Sequence, residues 1–189
     1  MDKYLQMLHP VTAVLHWKVL SVLKEYDVQT VLDVGGVGKL TALSPYDVTD
    51  VNLTGGVDGC DLPYENESFD ATVSVATLEH VHDHTAFIKE AYRVAKKVTV
   101  HWFPMGANAL KVEELKAKYG HWHPCRLPTF DEIQSVQTIR PWKIFRFMNC
   151  TEQLLMCMTL TLALKNAEVY DFIIENGDAW YGSVLIGEK

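Results

Sequence analysis

The sequence predicts an α/β fold with a mostly parallel sheet. The residues Val31, Leu32 and Val34 form a short apolar run with the length of a buried strand, and it leads through a glycine-rich turn into a helical segment. Further strand-like runs lie at 48–53, 70–76 and 98–103, and turns or segments with helical spacing separate one run from the next. The length of 189 residues is enough for one core. We therefore expect one domain over residues 1–189 with six or seven strands.

The N-terminal segment, residues 1–27, is predicted to contribute one helix. Apolar side chains recur at helical spacing from about Pro10 to Tyr26, and proline is well placed in a first turn. This helix would pack on the sheet edge or cap a ligand site. His9 and His16 are interpreted as polar residues on its surface.

The glycine-rich turn after Val34 predicts a nucleotide site. Gly35, Gly36 and Gly38 allow a sharp turn and a close approach of backbone amides to a ligand, and the next segment begins a helix. Such a turn lies at the carboxyl edge of a parallel sheet. Asp33, just before it, offers a carboxylate to a ligand hydroxyl or ammonium group. An ordinary strand-to-helix turn would explain the same residues.

The run Thr30–Gly38 resembles the first motif of class I S-adenosylmethionine-dependent methyltransferases, although the first two glycines are one residue closer together here. A longer stretch is more specific. Asp58-Gly-Cys-Asp-Leu-Pro-Tyr64, Glu67-Ser-Phe-Asp70 and Leu78-Glu-His-Val81 resemble the ubiquinone/menaquinone-biosynthesis type of these enzymes. The resemblance covers roughly residues 28–104. It implies a Rossmann-like, doubly wound sheet that ends in an antiparallel strand pair, and it makes S-adenosylmethionine the expected cofactor.

The resemblance also assigns cofactor-binding residues. It implies that Asp33 and the glycine turn hold the methionine part, that Asp58 bonds the adenine amino group, and that Leu62 and Pro63 form an apolar wall. The implied set is Asp33, Gly35, Gly36, Gly38, Asn52, Asp58, Gly59, Cys60, Ala76 and Thr77. Asp58 has an alternative interpretation as a turn residue, which is a common role for aspartate.

Two departures from the family pattern stand out. Asn52 occupies the position where the family has an acidic residue that grips the ribose hydroxyls, and an amide loses the charge-assisted part of that bond. The chain also goes from Leu53 through two glycines directly to Val57, so the crossover helix is missing and the third-strand region is reduced.

Residues 105–189 are predicted to form the substrate-side half, beside the cofactor-binding half at 28–104. We expect a loop with His121 and His123, a helix at 130–136, a strand at 142–147, a long helix at 151–174 and a last strand at 180–186. An oxygen acceptor would need a base to remove its proton. The predicted catalytic residues are Glu79, His80 and His123, with His101 and His121 as weaker candidates that a structural role also explains.

Metal binding has a partial precedent in the family. Some relatives with an L-E-H motif use its Glu and His as metal ligands, and Glu79, His80 and His123 resemble that set, but the preceding acidic ligand of the set would fall at Ala76. The four cysteines, Cys60, Cys125, Cys150 and Cys157, show no zinc spacing. No metal is therefore predicted. His82 and His84 are interpreted as a solvated helix-cap region.

Composition limits the partners and the compartment. The net charge of −7 argues against nucleic-acid binding. Scattered thiols, no signal-peptide pattern, and a longest apolar run at 154–164 that is too short for a bilayer favour a cytoplasmic protein without a membrane span. Nothing in the sequence specifies an oligomeric state.

The leading hypothesis is methyl transfer from S-adenosylmethionine to a small-molecule acceptor, at oxygen or another nucleophilic atom. Two alternatives remain open. One is a non-catalytic binding or scaffold protein with the same fold, and the other is a methyltransferase that acts on RNA or protein.

Overall fold

The computed structural model describes residues 10–104, 130–137, 142–147 and 182–188. The described elements are, in chain order, α1 (Pro10–Leu23), β1 (Thr30–Val34), α2 (Lys39–Leu43), β2 (Asp47–Val51), β3 (Phe69–Val75), α3 (His84–Val94), β4 (Ala95–Pro104), α4 (Phe130–Gln137), β5 (Trp142–Phe147) and β6 (Gly182–Glu188). Two 3₁₀ turns, Leu53–Gly55 and Leu78–His80, follow β2 and β3.

The strands form one six-stranded sheet in the order β2-β1-β3-β4-β6-β5. The β1–β2, β1–β3 and β3–β4 pairs are parallel, and β6 runs antiparallel to both β4 and β5. The predicted α/β class, the mostly parallel sheet and the terminal antiparallel pair are confirmed. Parallel pairing brings the carboxyl ends of β1 to β4 to one edge of the sheet, where a ligand site is expected.

Both faces of the sheet are covered, as in a doubly wound fold. On one face, α1 packs through apolar side chains that include Leu15, Val19 and Leu23. On the other face, α3 packs through Phe87 and Ile88. Burial on two faces explains why β1, β3 and β4 are rich in apolar and β-branched residues rather than alternating with charged ones.

The reduced third-strand region is confirmed. Residues 52–68, between β2 and β3, contain no α-helix and no strand, only the short turn at Leu53–Gly55. This connection therefore goes from the edge strand β2 to β3 without adding a further strand beyond β2. One side of the carboxyl edge is consequently formed by irregular backbone.

Several boundaries differ slightly from the predictions. The first helix ends at Leu23 rather than near Tyr26, and β2 ends at Val51 rather than Leu53. The structure describes β6 from Gly182 to Glu188, whereas the predicted last strand covered 180–186. The prediction for His16 was wrong: the side chain is 4% exposed because α1 lies flat on the sheet. His9, the 105–128 segment and the predicted helix at 151–174 lie outside the described residues. Within the described part of the chain, no helix has the length and hydrophobicity needed to cross a bilayer.

Candidate cofactor and active site

The glycine turn after β1 is packed so closely that only glycine fits. Gly35 and Gly38 have φ values of 91° and 83°, in the left-handed region that glycine adopts at little cost. A Cβ atom on Gly36 would lie 2.4 Å from Asp50 Oδ1 and 2.6 Å from Asp33 Oδ2. The turn is therefore folded directly over two carboxylates.

Asp33 is the deeper of these two carboxylates. Its side chain is 2% exposed, and Oδ2 has no hydrogen-bond partner among the described residues. Burial raises the pKa of Asp33 to about 8, and repulsion by Asp50 adds to the shift. The group is therefore largely protonated at neutral pH, with an oxygen left for a ligand or a water.

Asp50 fastens the turn to β2. Its Oδ1 accepts a hydrogen bond from the Gly38 amide at 3.1 Å, and its Oδ2 accepts one from the Thr41 hydroxyl at 2.5 Å. The parallel register places Asp50 directly beside Asp33. The Gly35 amide also donates to the Val51 carbonyl at 2.7 Å and the Gly36 amide to the Asp33 carbonyl at 3.2 Å, so three amides of the glycine turn are already used within the protein. Sequence reasoning placed Asp50 on this strand but could not assign it this role.

Asn52 connects the glycine turn to the turn after β2. Its Nδ2 donates to the Gly36 carbonyl at 2.7 Å, and its Oδ1 accepts from the Gly55 amide at 2.8 Å. The residue lies at the carboxyl end of β2, where the sequence predicted the ribose-side group. Both amide ends of this side chain already have partners within the chain.

The predicted adenine-side residues form a second turn. Asp58 Oδ1 accepts from the Cys60 amide at 2.9 Å, an arrangement typical of an Asx turn. A Cβ on Gly59 would lie 2.4 Å from Phe87 Cε2, so this turn packs tightly on α3. Burial raises the pKa of the Cys60 thiol to about 11. The expected apolar wall is uneven, since Leu62 is 3% exposed in the core and Pro63 is exposed.

A Glu90–Arg93 pair on α3 anchors the loop that follows this turn. Arg93 Nη1 donates to the Tyr64 carbonyl at 2.7 Å, and Nη2 donates to the Leu62 carbonyl at 3.0 Å. Glu90 Oε2 accepts from the Leu62 amide at 3.0 Å and also from Arg93 at 2.7 Å. Sequence reasoning missed this pair, although its i,i+3 spacing on a helix was a detectable signal.

The end of β3 touches the glycine turn. Ala76 has a φ of 54°, an uncommon value for a residue with a side chain. A Cβ on Gly35 would lie 2.2 Å from the Thr77 hydroxyl oxygen, so Thr77 borders the turn directly. Backbone strain of this kind persists where surrounding structure enforces it, often at functional sites.

Glu79 and His80 follow on the 3₁₀ turn after β3. Glu79 is 3% exposed, its Oε2 has no hydrogen-bond partner among the described residues, and burial raises its pKa to about 8. Its Oε1 lies 4.0 Å from Nε2 of the more exposed His80. The pair therefore combines a buried acid with an imidazole that solvent can reach.

The other histidines divide into core and surface positions. His101 is fully buried between Ser74 and Thr99, at 2.8 and 2.7 Å, and burial lowers its pKa to about 3, so it is a structural residue of β4. The solvated-cap interpretation holds for the exposed His82 but was wrong for His84, which is fully buried and bonded to Glu132 of α4 at 3.1 Å. The predicted His121 and His123 lie outside the described residues.

Residues 42–103 match the family model of a methyltransferase domain. This match agrees with the resemblance predicted from the sequence over the same segment, and the predicted Rossmann-like fold is confirmed. No curated protein sequence matches the chain.

Solved structures share this fold at low sequence identity. A Haemonchus contortus phosphoethanolamine N-methyltransferase 2 in complex with S-adenosylmethionine has a TM-score of 0.60 and 15% identity, over 91% of this chain and 52% of its own. The chain thus spans about half the length of that enzyme. A Thermotoga maritima S-adenosylmethionine-dependent methyltransferase has a TM-score of 0.60 and 16% identity, over 96% of this chain and 91% of its own.

A third similar structure contains both a ligand derived from the cofactor and a second organic ligand. It is the geranyl diphosphate C-methyltransferase from Streptomyces coelicolor A3(2), in complex with Mg²⁺, geranyl diphosphate and S-adenosylhomocysteine. Its TM-score is 0.60 at 14% identity, over 94% of this chain and 80% of its own. Two of these neighbours thus bind the predicted cofactor or its product. The Haemonchus contortus enzyme binds S-adenosylmethionine, and the Streptomyces coelicolor enzyme binds S-adenosylhomocysteine.

Proposed function

We propose that this protein transfers a methyl group from S-adenosylmethionine to a small-molecule acceptor, at oxygen or another nucleophilic atom. The observation that carries this proposal is the unpartnered, buried Oδ2 of Asp33 beneath a turn that only glycine can form. Buried polar atoms are rarely left unsatisfied in the middle of a fold, so an unsatisfied one at the ligand edge of a parallel sheet supports a ligand site.

The residues at this edge fit the two ends of the cofactor. We place its methionine part against Asp33 and the glycine turn, because a protonated carboxyl group there both donates and accepts hydrogen bonds. The ribose would lie beside Asn52 and the adenine beside Asp58. The full proposed set is Asp33, Gly35, Gly36, Gly38, Asn52, Asp58, Gly59, Cys60, Ala76 and Thr77.

The cofactor supplies an already activated methyl group on its sulfonium, so the chain mainly has to align the acceptor with it. We assign removal of the acceptor proton to His80, which is exposed and therefore accessible to a substrate. Glu79 lies beside this imidazole and would orient it. His123 is retained as a further proposed catalytic residue on the substrate side.

A small-molecule acceptor is supported by the neighbours and by charge. Structures with the same fold bind phosphomonomethylethanolamine and geranyl diphosphate, which are small acceptors. The net charge of −7 disfavours a polyanionic partner such as RNA. Scattered thiols support the proposal of a cytoplasmic protein.

A second candidate, a non-catalytic binding protein with the methyltransferase fold, is favoured by a specific observation. The Gly38 amide and both amide ends of Asn52, which a cofactor would otherwise use, are already engaged within the chain. Cofactor binding would then have to displace or share these internal bonds.

Calorimetric titration with S-adenosylmethionine and S-adenosylhomocysteine separates the two candidates without knowledge of the acceptor. We expect both to bind with one site per chain, and a pool of small acceptors to yield S-adenosylhomocysteine. Absence of binding by the folded protein would reject the enzyme and leave the scaffold.

Replacement of Asp58 tests the adenine position. Asp58→Ala should weaken S-adenosylmethionine binding, whereas an analogue without the adenine amino group should bind wild type and variant equally. Asp61→Asn, an exposed carboxylate in the same turn, is the matched control. If Asp58→Ala binds the cofactor as well as wild type does, Asp58 serves only the turn.

A further inference from the structure

We propose that Asp58, Cys60 and His82 form a binding site for a divalent metal ion of the zinc type. One ligand atom from each residue lies within 4.8 Å of the other two, and Cys60 Sγ is 4.0 Å from His82 Nδ1. This cluster is separate from the Glu79–His80 pair. The cysteine and the histidine are 22 positions apart, so no short sequence motif indicates it.

The chain holds these three residues near one another through its own hydrogen bonds. The Asx turn places Asp58 beside Cys60. The Cys60 thiol donates to the Asp83 carbonyl at 3.4 Å, which brings the sulfur to the His82–Asp83 segment. Asp83 in turn caps α3, since its Oδ1 accepts from the Ala86 amide at 2.9 Å. A metal ion would therefore find a largely formed site and would not have to order a free loop.

The donor set selects the class of metal. Thiolate sulfur and imidazole nitrogen are ligands for zinc and similar ions, whereas magnesium and calcium prefer oxygen ligands. Zinc bonds of ~2.0–2.3 Å place tetrahedral ligand atoms roughly 3.3–3.8 Å apart, so small side-chain rotations would suffice. The thiol proton would leave to solvent as the sulfur–metal bond forms. A water molecule would complete the fourth position.

Metal binding at this site would compete with the cofactor. Asp58 is also the residue that we place against the adenine amino group, and a carboxylate that coordinates zinc is no longer oriented for that contact. We therefore infer that zinc lowers the affinity for S-adenosylmethionine. This coupling rests on the proposed function, whereas the metal site itself does not.

Cobalt(II) titration of the reduced, chelator-treated protein tests the site directly. We expect one cobalt per chain with a near-ultraviolet sulfur-to-cobalt charge-transfer band, and we expect zinc to displace it. Cys60→Ser should abolish the band, and His82→Ala should weaken binding at least tenfold. Asp61→Asn should bind cobalt like wild type. Circular dichroism of each variant verifies that it is folded.

Two results would overturn the metal site. One is the absence of any charge-transfer band in wild type, and the other is a band that persists in Cys60→Ser, which would place the metal on another thiol. Titration of S-adenosylmethionine with and without bound zinc tests the coupling. Weaker cofactor binding with zinc supports it, unchanged affinity overturns it, and a cofactor that binds neither form rejects the proposed function while the cobalt result stands.

Discussion

Asp70 and Asp33 lie on neighbouring strands, at opposite edges of the same sheet. Asp70, at the amino end of β3, accepts hydrogen bonds from the Gln29 and Thr30 amides at 2.9 and 3.1 Å, and Lys96 and Lys97 lie within 3.9 Å of it. Partial burial raises its pKa, but the two amides and the two lysines outweigh that effect and hold the pKa below its usual value. Asp33, at the carboxyl end of β1, keeps an unpartnered oxygen, and its pKa is raised to about 8.

The difference between Asp70 and Asp33 indicates different roles for the amino edge of the sheet, where the parallel strands begin, and the carboxyl edge, where they end. At the amino edge, the carboxylate joins β1 to β3 and completes the hydrogen bonding of the fold. At the carboxyl edge, both Asp33 and Glu79 contain buried oxygens without partners among the described residues. Each such atom costs about 1–3 kcal/mol of stability, and a protein retains that cost where a ligand or a reaction uses the group.

Among the substitutions, the largest effect on stability is expected for Asp70→Ala at the amino edge of the sheet. Asp70→Ala leaves two backbone amides without their acceptor and should lower the free energy of unfolding by about 2–3 kcal/mol, measured by urea denaturation. Asp27→Asn is the control, because Asp27 is 93% exposed and only forms a surface ion pair with Lys97, at 3.7 Å. Equal stability of Asp70→Ala and wild type would remove the structural half of the comparison.

The next expected effect is a dependence of stability on pH, caused by the buried carboxyl groups at the carboxyl edge of the sheet. Glu79 has a pKa of about 8 in the folded protein against its ordinary 4.5, so between these values the unfolded state ionises first. Stability should therefore fall as pH rises through this window. Glu79→Gln cannot ionise and should flatten the profile.

The pKa of Asp33 is raised as well, so its ionisation also makes stability fall as pH rises. The stability of Glu79→Gln should therefore still fall with pH, but with a smaller slope than that of wild type. A profile of Glu79→Gln parallel to that of wild type between pH 5 and 8 would show that Glu79 is already ionised in the folded protein.

A smaller effect should come from the Glu90–Arg93 pair, which holds the Leu62–Tyr64 loop against α3. Arg93→Lys keeps the charge but cannot replace the forked contacts to the Leu62 and Tyr64 carbonyls. We expect a loss of about 1 kcal/mol and faster hydrogen exchange at the Leu62 amide. Lys89→Gln, exposed on the same helix, is the control. Unchanged exchange in Arg93→Lys would mean that the loop is held by other contacts.

Local chemistry made most of the fold predictable. Glycine placement and apolar spacing predicted the strand that ends at Val34 and the helix that follows the glycine turn, and proline marked the start of α1. The two misassigned histidines, His16 and His84, have polar side chains that the sequence pattern assigned to the surface. Their burial depends on packing between distant segments, such as the bond from His84 to Glu132, 48 residues away.

The placement of the candidate site residues in the fold was predictable, but their hydrogen bonds were not. Motif spacing located Asp33, Asn52 and Asp58, which the structure places at the carboxyl ends of β1 and β2 or in the turn that follows. The use of Asp50 and Asn52 as fasteners of the glycine turn depends on the β1–β2 register and on the shortened turn. The Asp58–Cys60–His82 cluster depends on where α3 begins. Sequence spacing alone specifies neither the hydrogen bonds of Asp50 and Asn52 nor the assembly of this cluster.

The most direct test of the division between the two edges is the affinity for S-adenosylmethionine of Asp33→Ala and Asp70→Ala, measured by calorimetry under conditions where both are folded. We predict that Asp33→Ala weakens binding at least tenfold, about 1.4 kcal/mol, because it removes the buried group under the glycine turn. Asp70→Ala should bind like wild type despite its lower stability. Unchanged affinity in folded Asp33→Ala, or an equal loss in both variants, would contradict the assignment of the carboxyl edge as the cofactor site.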